Sequence, residues 1–288
     1  MSVEPTSGPD GPDPATLATD IPATDTLARQ LTETVTAAGE IALAMFQAGV
    51  KSWTKGNNSP VTEADMAVDA FLHRHLTALD AGIGWLSEES ADGPARLGAR
   101  RLWVVDPIDG TRGFMAGGHD WAVSVALVEQ GRPILAALFA PATGELFTAA
   151  AGRGAVRNGV PLKVAPRHTL DGARVAGPPA DLDALARRAP VERLPRVRSL
   201  ALRLARVATG EIDVAFAAGN SNDWDLAAAD LIVHEAHGLL TTRDGTPLTY
   251  NAPEPRHPEL ICAGPALHAA LVERAPQPPF FNATLDQR

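Results

Sequence analysis

The stretch Leu102-Trp-Val-Val-Asp-Pro-Ile-Asp-Gly-Thr111 decides how the chain folds and what it can hold. Leu102–Val105 is an apolar run of strand length, and it ends on two acids. Asp106 and Asp109 stand three apart across a turn fixed by Pro107 and relieved by Gly110, so both carboxylates can converge on one point. Two such charges ~4 Å apart repel by about 4 kcal/mol at an effective dielectric of about 20. A hard divalent cation reverses that sign, and oxygen ligands with no His or Cys nearby favour Mg²⁺ over zinc. Gly110 and Thr111 then offer two successive backbone N–H groups, a small nest for a phosphate oxygen. Metal and anion cradle side by side point to phosphoryl chemistry.

Outward from this strand, Trp121–Val128 and Pro133–Ala140 read as an antiparallel hairpin across Glu129-Gln130-Gly131-Arg132. Another strand near Glu145–Ala150 leads to Asn158-Gly159, a strong hairpin signal. Upstream, apolar residues from Leu27 to Met45 recur at steps of three and four, which predicts an amphipathic helix from Asp25 to about Gly49. Thr54–Pro60 is loop, and Thr62 caps a second helix with Asp65 three residues on. Strand Ile83–Leu86 runs into Ser87-Glu88-Glu89. Beyond residue 170 the pattern alternates: strand Arg174–Ala176, helix Asp181–Arg188, helix Leu200–Thr209, strand Ile212–Ala217, helix Trp224–His237, strand Leu260–Ala263, helix Ala266–Arg274. The expected organisation is a disordered tail over 1–25, an α+β half over 26–165 carrying an antiparallel sheet and the metal site, and an α/β half over 166–288 completing it.

Composition narrows the function classes. With 288 residues the chain buries a sizeable core, and 25 Lys+Arg against 34 Asp+Glu, net −9, leaves no basic run to grip a nucleic-acid polymer. The single cysteine, Cys262, rules out disulfide frameworks and Cys-based metal sites and reads as a buried, inert thiol. No apolar run approaches the roughly 18 residues of a membrane span. Residues 1–25 carry no Lys or Arg, unlike a secretory signal, so a cytoplasmic protein is expected.

Competing phosphate machineries fail on spacing. There is no G-x-x-x-x-G-K-[ST] loop, no aspartyl nucleophile pair spaced by one, and no G-x-S-x-G elbow. With no evident protein nucleophile, a metal-activated water is the economical attacking group. Taken together, Trp103-Val-Val-Asp-Pro-Ile-Asp-Gly-Thr111, Glu88-Glu89 upstream and Trp224-Asp225-x-Ala-Ala downstream resemble the inositol monophosphatase superfamily, over about Leu27 to Leu271. That resemblance implies a five-layered αβαβα sandwich, Mg²⁺ dependence with two or three ions, and inhibition by lithium. It implies that Glu88, Asp106 and the Ile108 carbonyl hold one metal, that Asp106, Asp109 and Asp225 hold a second, and that a third, weaker ion leans on Glu88. Asp65, in Val61-Thr-Glu-Ala-Asp65, matches the family aspartate that pairs with the motif threonine, here Thr111, to orient and deprotonate the attacking water. Gly110 and Thr111 amides would bind the phosphate.

Plainer readings stand beside these. From pattern alone Asp65 and Asp225 are acids in the first turn of a helix, favoured by the macrodipole. Glu89 is either solvated or a support for its neighbour. The histidines read as bland, with His119 a loop residue bordering the site. On substrate, Ser87 replaces the glycine that precedes the glutamate pair in inositol monophosphatases, and Leu-Ser-Glu-Glu resembles the bacterial 3′(2′),5′-bisphosphate nucleotidases. Arg112 after the core motif, Ser199-Leu-Ala-Leu-Arg203 and Asp244–Tyr250 point the same way. Ala218 stands seven residues before Asp225, where the inositol enzymes carry a hydroxyl-gripping glutamate, and His237 stands at a usual family glycine. The expectation is a phosphomonoesterase removing the 3′-phosphate of adenosine 3′,5′-bisphosphate, with a small phosphorylated metabolite as its partner and a homodimer open. Inositol-1-phosphate or histidinol phosphate hydrolysis is the alternative, and a catalytically silent phosphate-binding regulator is the alternative of a different class.

Overall fold

The computed structural model describes residues 21–54 and 60–272. Helix α1 (Ile21–Ala48) buries the stripe Leu31, Val35, Ala38 and Ala42. It starts four residues ahead of the expected Asp25, so residues 21–25 are helical rather than tail, and residues 1–20 lie outside the described residues. A hairpin of β1 (Ser52–Thr54) and β2 (Pro60–Thr62) leads into α2 (Glu63–Thr77). Residues 55–59 of the expected loop also lie outside the described residues.

The first sheet follows. Strands β3 (Gly84–Ser87) and β4 (Arg101–Asp109), helix α3 (Thr111–Met115), then β5 (Ala122–Glu129), β6 (Arg132–Ala140), β7 (Glu145–Ala150), β8 (Ala155–Arg157) and β9 (Val160–Pro161) stand in chain order across seven strands. Only β3 against β4 is parallel. The two-residue turns Gln130-Gly131 and Asn158-Gly159 both have positive φ throughout (49° and 78°, 50° and 79°), the mirror-image turn that suits the twist of paired strands.

One element departs from expectation. Strand β4 runs on through Pro107 to Asp109, where a turn was expected after Val105. Its pairing with β5 slips there: Asp106 faces Ser124 and Asp109 faces Ala122, three steps on one strand against two on the other. The extra residue makes a β-bulge, and a bulge is where a strand tolerates a proline, which has no N–H to give.

The second sheet is mixed. It is assembled from β10 (Arg174–Ala176), α4 (Pro179–Ala186), β11 (Glu192–Arg193), α5 (Leu200–Ala208), β12 (Val214–Ala217), a bridge strand β13 (Ser221–Asn222), α6 (Asp223–Glu235), β14 (Leu239–Thr242), β15 (Arg256–His257) pairing with β13, β16 (Leu260–Ala263) and α7 (Pro265–Val272). The order is β11-β10-β12-β16-β14, parallel over the first two pairings and antiparallel over the last two.

Alternation along the strands sorts their side chains into layers. In β4, Trp103 and Val105 face α1 and α2, while Leu102 and Val104 face α5 and α6. In β12, Ala215 and Ala217 face that same central helical layer, while Val214 and Phe216 meet α4 and α7 outside. Helices, sheet, helices, sheet, helices: the fold is the expected five-layered αβαβα sandwich. Its central helices α5 and α6 begin where β4 ends, which brings their first turns to the two acids.

Candidate active site

The bulge at the end of β4 aims two successive acids the same way. Asp106, Asp109 and Asp225 each offer a carboxylate oxygen, and the three oxygens lie within 4.8 Å of one another. Asp106 and Asp109 are buried and Asp225 is largely so. Burial pushes the Asp106 carboxyl well above the usual carboxylate range, and the charges of Glu88, Asp109 and Asp225 push it further. Asp225 is pushed up to about 7, by burial and then by the charge of Asp109. Asp109 is raised by burial but held down by three donors from the start of α5: Ser199 Oγ (2.5 Å), the Ala201 N–H (2.6 Å) and the Leu200 N–H (3.2 Å). The charge of Arg203, one turn into α5, lowers it too.

Backbone donors orient the other two acids. The Ile108 N–H donates to Asp106 Oδ1 (3.0 Å) and the Asn222 N–H to Asp225 Oδ2 (2.6 Å). Asp225 is thus the third helical residue of a capping box at the start of α6. Glu88 stands outside the group of three. It is half-buried, its N–H is held by the Val105 carbonyl (3.2 Å), and it lies near enough for its charge to raise Asp106.

Asp65 serves two elements at once. Its Oδ2 accepts from the Thr62 N–H (2.7 Å) and Thr62 Oγ1 (2.6 Å), closing a capping box on α2, while Oδ1 accepts from Thr111 Oγ1 (3.2 Å). Burial raises its pKa against these hydrogen bonds. One oxygen thus serves the helix start of the plain first-turn reading, and the other meets the Thr111 hydroxyl with which the resemblance pairs it. Thr111 Oγ1 is also 3.0 Å from the Ile108 carbonyl. Gly110, which joins β4 to α3, has φ 93°, and a Cβ there would fall 2.9 Å from the Asp120 carbonyl and 3.1 Å from the Ser199 N atom. Only glycine lets the α5 loop close over this turn.

Other expectations find their place. Arg112 is exposed and makes no ion pair with a described residue. Ser87, taken above as a substrate signal, is held by α2: its hydroxyl donates to Asp69 Oδ1 (2.5 Å), and Ser90 Oγ donates to Asp69 Oδ2 (3.0 Å). It braces the Glu88-Glu89 turn against α2. Ala218 is exposed. His237 has φ 64°, so it holds the left-handed conformation a glycine would take and closes α6 in its place. His119 is exposed and its ring stands 6.1 Å from that of Phe46. Cys262 is fully buried and burial pushes its thiol far up, as an inert thiol requires. Sequence reasoning missed Ser199 as a partner of Asp109, although Ser before an apolar helical run is a capping signal. It also missed His257, whose Nε2 meets Asp223 Oδ1 (2.7 Å) beneath the start of α6.

The model of the inositol monophosphatase family matches residues 23–277. The chain is 33% identical over 239 residues to a 3′(2′),5′-bisphosphate nucleotidase CysQ of Aggregatibacter actinomycetemcomitans, covering 79% of this chain and 88% of that one. It is 37% identical over 207 residues to a histidinol-phosphatase of Mycobacterium tuberculosis, covering 67% and 77%. Among solved structures, an inositol monophosphatase from Anabaena superposes with a TM-score of 0.73 at 26% identity, over 87% of this chain and 95% of that one.

Proposed function

We propose that this chain, which belongs to the inositol monophosphatase family, is a Mg²⁺-dependent, lithium-sensitive phosphomonoesterase that removes the 3′-phosphate of adenosine 3′,5′-bisphosphate. One observation carries the chemistry: three carboxylate oxygens from Asp106, Asp109 and Asp225 meet within 4.8 Å in a place where burial, and for Asp106 and Asp225 the neighbouring carboxylate charge as well, raises their pKa values. The donor set is all oxygen, which suits a hard cation. Asp106, Asp109 and Asp225 would hold one Mg²⁺, and Glu88, Asp106 and the Ile108 carbonyl another, with a third leaning on Glu88. Bound there, Mg²⁺ supplies polarisation of a phosphoryl oxygen and activation of a water.

The chain's own groups do the rest. The single Thr111 hydroxyl proton has two acceptors in reach, Asp65 Oδ1 and the Ile108 carbonyl; donated to Asp65 Oδ1, it leaves an Oγ1 lone pair to accept from a water and a path through the hydroxyl to Asp65 for the proton that water loses. Asp65, with its pKa raised by burial, is suited to take up the proton that this water loses. The N–H groups of Gly110 and Thr111 supply donors for a phosphate oxygen.

Three observations support a bisphosphate substrate. Ala218 brings no carboxylate to the position where a polyol would need one, so its hydroxyl groups would be desolvated without a partner. Arg112 is an exposed cation beside the Thr111 cradle. A CysQ nucleotidase is among the relatives. The same reading makes the substrate a diffusible cytoplasmic metabolite, and no described helix is long and apolar enough to cross a membrane. Phosphate release with Mg²⁺ from adenosine 3′,5′-bisphosphate, inositol-1-phosphate and histidinol phosphate tests it. The highest kcat/KM is expected for the bisphosphate, and Arg112→Ala should raise KM for it more than for the monophosphates. A preference for either monophosphate overturns the substrate, and no release from any of the three overturns the activity.

A further inference from the structure

The turn that follows Glu88 and Glu89 is tied to a segment some 155 residues away by one side chain. Arg96, in the 3₁₀ turn Pro94–Gly98, is only 4% exposed, yet all five of its N–H groups have acceptors. Its Nε and one terminal nitrogen make a bidentate pair with Asp92 (2.6 and 2.8 Å). The remaining donors reach Asn251 Oδ1 (2.7 Å), the Ala252 carbonyl (2.9 Å) and the Pro253 carbonyl (3.2 Å). Asn251 Nδ2 donates back to the Arg96 carbonyl (3.1 Å). A planar fork that spends every donor fixes the loop in angle as well as distance, which a lysine in its place would not do.

What Arg96 grips is the segment that holds the start of α6. The Asn251 N–H donates to Asp223 Oδ2 (2.7 Å), the Asp223 N–H donates to the Pro255 carbonyl (3.0 Å), and His257 Nε2 meets Asp223 Oδ1 (2.7 Å). Asp223 is fully buried and stands two residues before Asp225. The Glu88 side of the carboxylate group and its Asp225 side are therefore linked through Arg96.

We infer that Arg96 is a positioning residue that sets Asp225 against Asp106 and Asp109 through residues 251–257. This rests on the reading of those three carboxylates as a Mg²⁺ site. Partners one shell out from a metal's ligands typically contribute 10–100-fold to its affinity. Mg²⁺ titrated calorimetrically into the full chain, with kcat and Tm measured on the same preparations, tests the inference. Arg96 acts through Asn251 and Asp223 rather than on a ligand itself, so Arg96→Lys and Arg96→Ala are expected to weaken Mg²⁺ binding by about 10-fold, the low end of that range, with kcat at saturating Mg²⁺ close to that of the wild type. Asn251→Gly keeps the 65° φ of that position and deletes only the side-chain arm, so it should weaken Mg²⁺ binding by less. Arg174→Ala breaks a bidentate pair with Asp213 on the five-stranded sheet, and should lower Tm without moving Mg²⁺ affinity. If Arg96→Ala does not fold, Arg96→Lys and Asn251→Gly carry the test. Unchanged Mg²⁺ affinity in the Arg96 and Asn251 variants, or an equal loss in Arg174→Ala, overturns the positioning role. A wild type that takes up no Mg²⁺ overturns instead the metal reading on which it rests.

Discussion

Thr111 has one hydroxyl proton and two acceptors in reach, and the Asp65 carboxylate that takes it is itself committed on its other oxygen to the Thr62 cap. That division separates chemistry from stability. Thr111→Ala removes the hydroxyl without touching the cap, whereas Asp65→Ala removes the hydroxyl's partner and the Asp65 half of the capping box, and should also cost about 1 kcal/mol of stability by leaving the Thr62 N–H without its acceptor. Each change is expected to lower kcat by about 100-fold, and the double variant should lose little more, because residues acting on one water form a unit. Losses that multiply in steady-state kinetics would show two independent groups. His237 poses the opposite case, strain with no evident chemistry. The His237 N–H bonds the His234 carbonyl (2.9 Å) and the Gly238 N–H the Val233 carbonyl (2.8 Å), a Schellman closure with an exposed histidine at its left-handed position. His237→Gly should therefore stabilise the protein by about 1 kcal/mol in denaturant titration, with kcat unmoved. The next residue tolerates no such freedom, since a Cβ on Gly238 would fall 2.7 Å from Val233 Cγ1.

At the scale of elements, period explains what could be read from the chain and long-range contact what could not. The alternation that separates Trp103 and Val105 from Leu102 and Val104 is local, as is the three-and-four stripe of α1, and both pass directly into structure. Pro107 misleads because a proline in an apolar run ordinarily ends a strand, and only the register of β5 reveals the bulge that accommodates it. The acids themselves were legible from spacing; what holds them was not. Ser199 lies 90 residues from Asp109 and Asn251 lies 155 from Arg96, distances over which no pattern in one sequence speaks. Ser87, a mark of the nucleotidase branch in sequence, has a structural partner that the sequence does not show. Its hydroxyl caps Asp69 Oδ1 and in turn accepts the Glu89 N–H (3.3 Å), so it stiffens the Glu88-Glu89 turn against α2. Ser87→Ala leaves a buried carboxylate oxygen one donor short and is expected to cost about 1–3 kcal/mol in thermal or denaturant unfolding. The ranking of substrates should stay as in the wild type; a changed ranking would return Ser87 to the ligand's side.

The whole molecule brings carboxylates from one strand of its first sheet and from the start of a central helix to one buried place, so its stability depends on what neutralises them. Asp225 has an ordinary pKa of 3.8 and is pushed up to about 7 in the folded protein, and Asp106 is raised as well. A raised carboxyl means that the folded state holds its proton more tightly than the unfolded one. The stabilisation is complete below pH 3.8 and is lost as pH rises through about 7. His268, buried against Thr241 Oγ1 and lowered by burial, works in the reverse sense, gaining stability for the fold as pH rises through its ordinary 6.5. Comparison with Asp225→Asn cancels that opposing contribution, because both proteins keep His268. In chelator, Asp225→Asn should melt above the wild type at pH 8, and the gap should close toward pH 5. Adding Mg²⁺ at 100 times its Kd should stabilise the wild type by about 2.7 kcal/mol, a rise in Tm of roughly 5 °C for a chain of this size. The same addition should do much less for the variant, so that the gap between the two proteins at pH 8 narrows. A wild type that melts at one temperature with chelator and with Mg²⁺ would mean that the carboxylates tolerate one another without a cation, and that the site is not built around one.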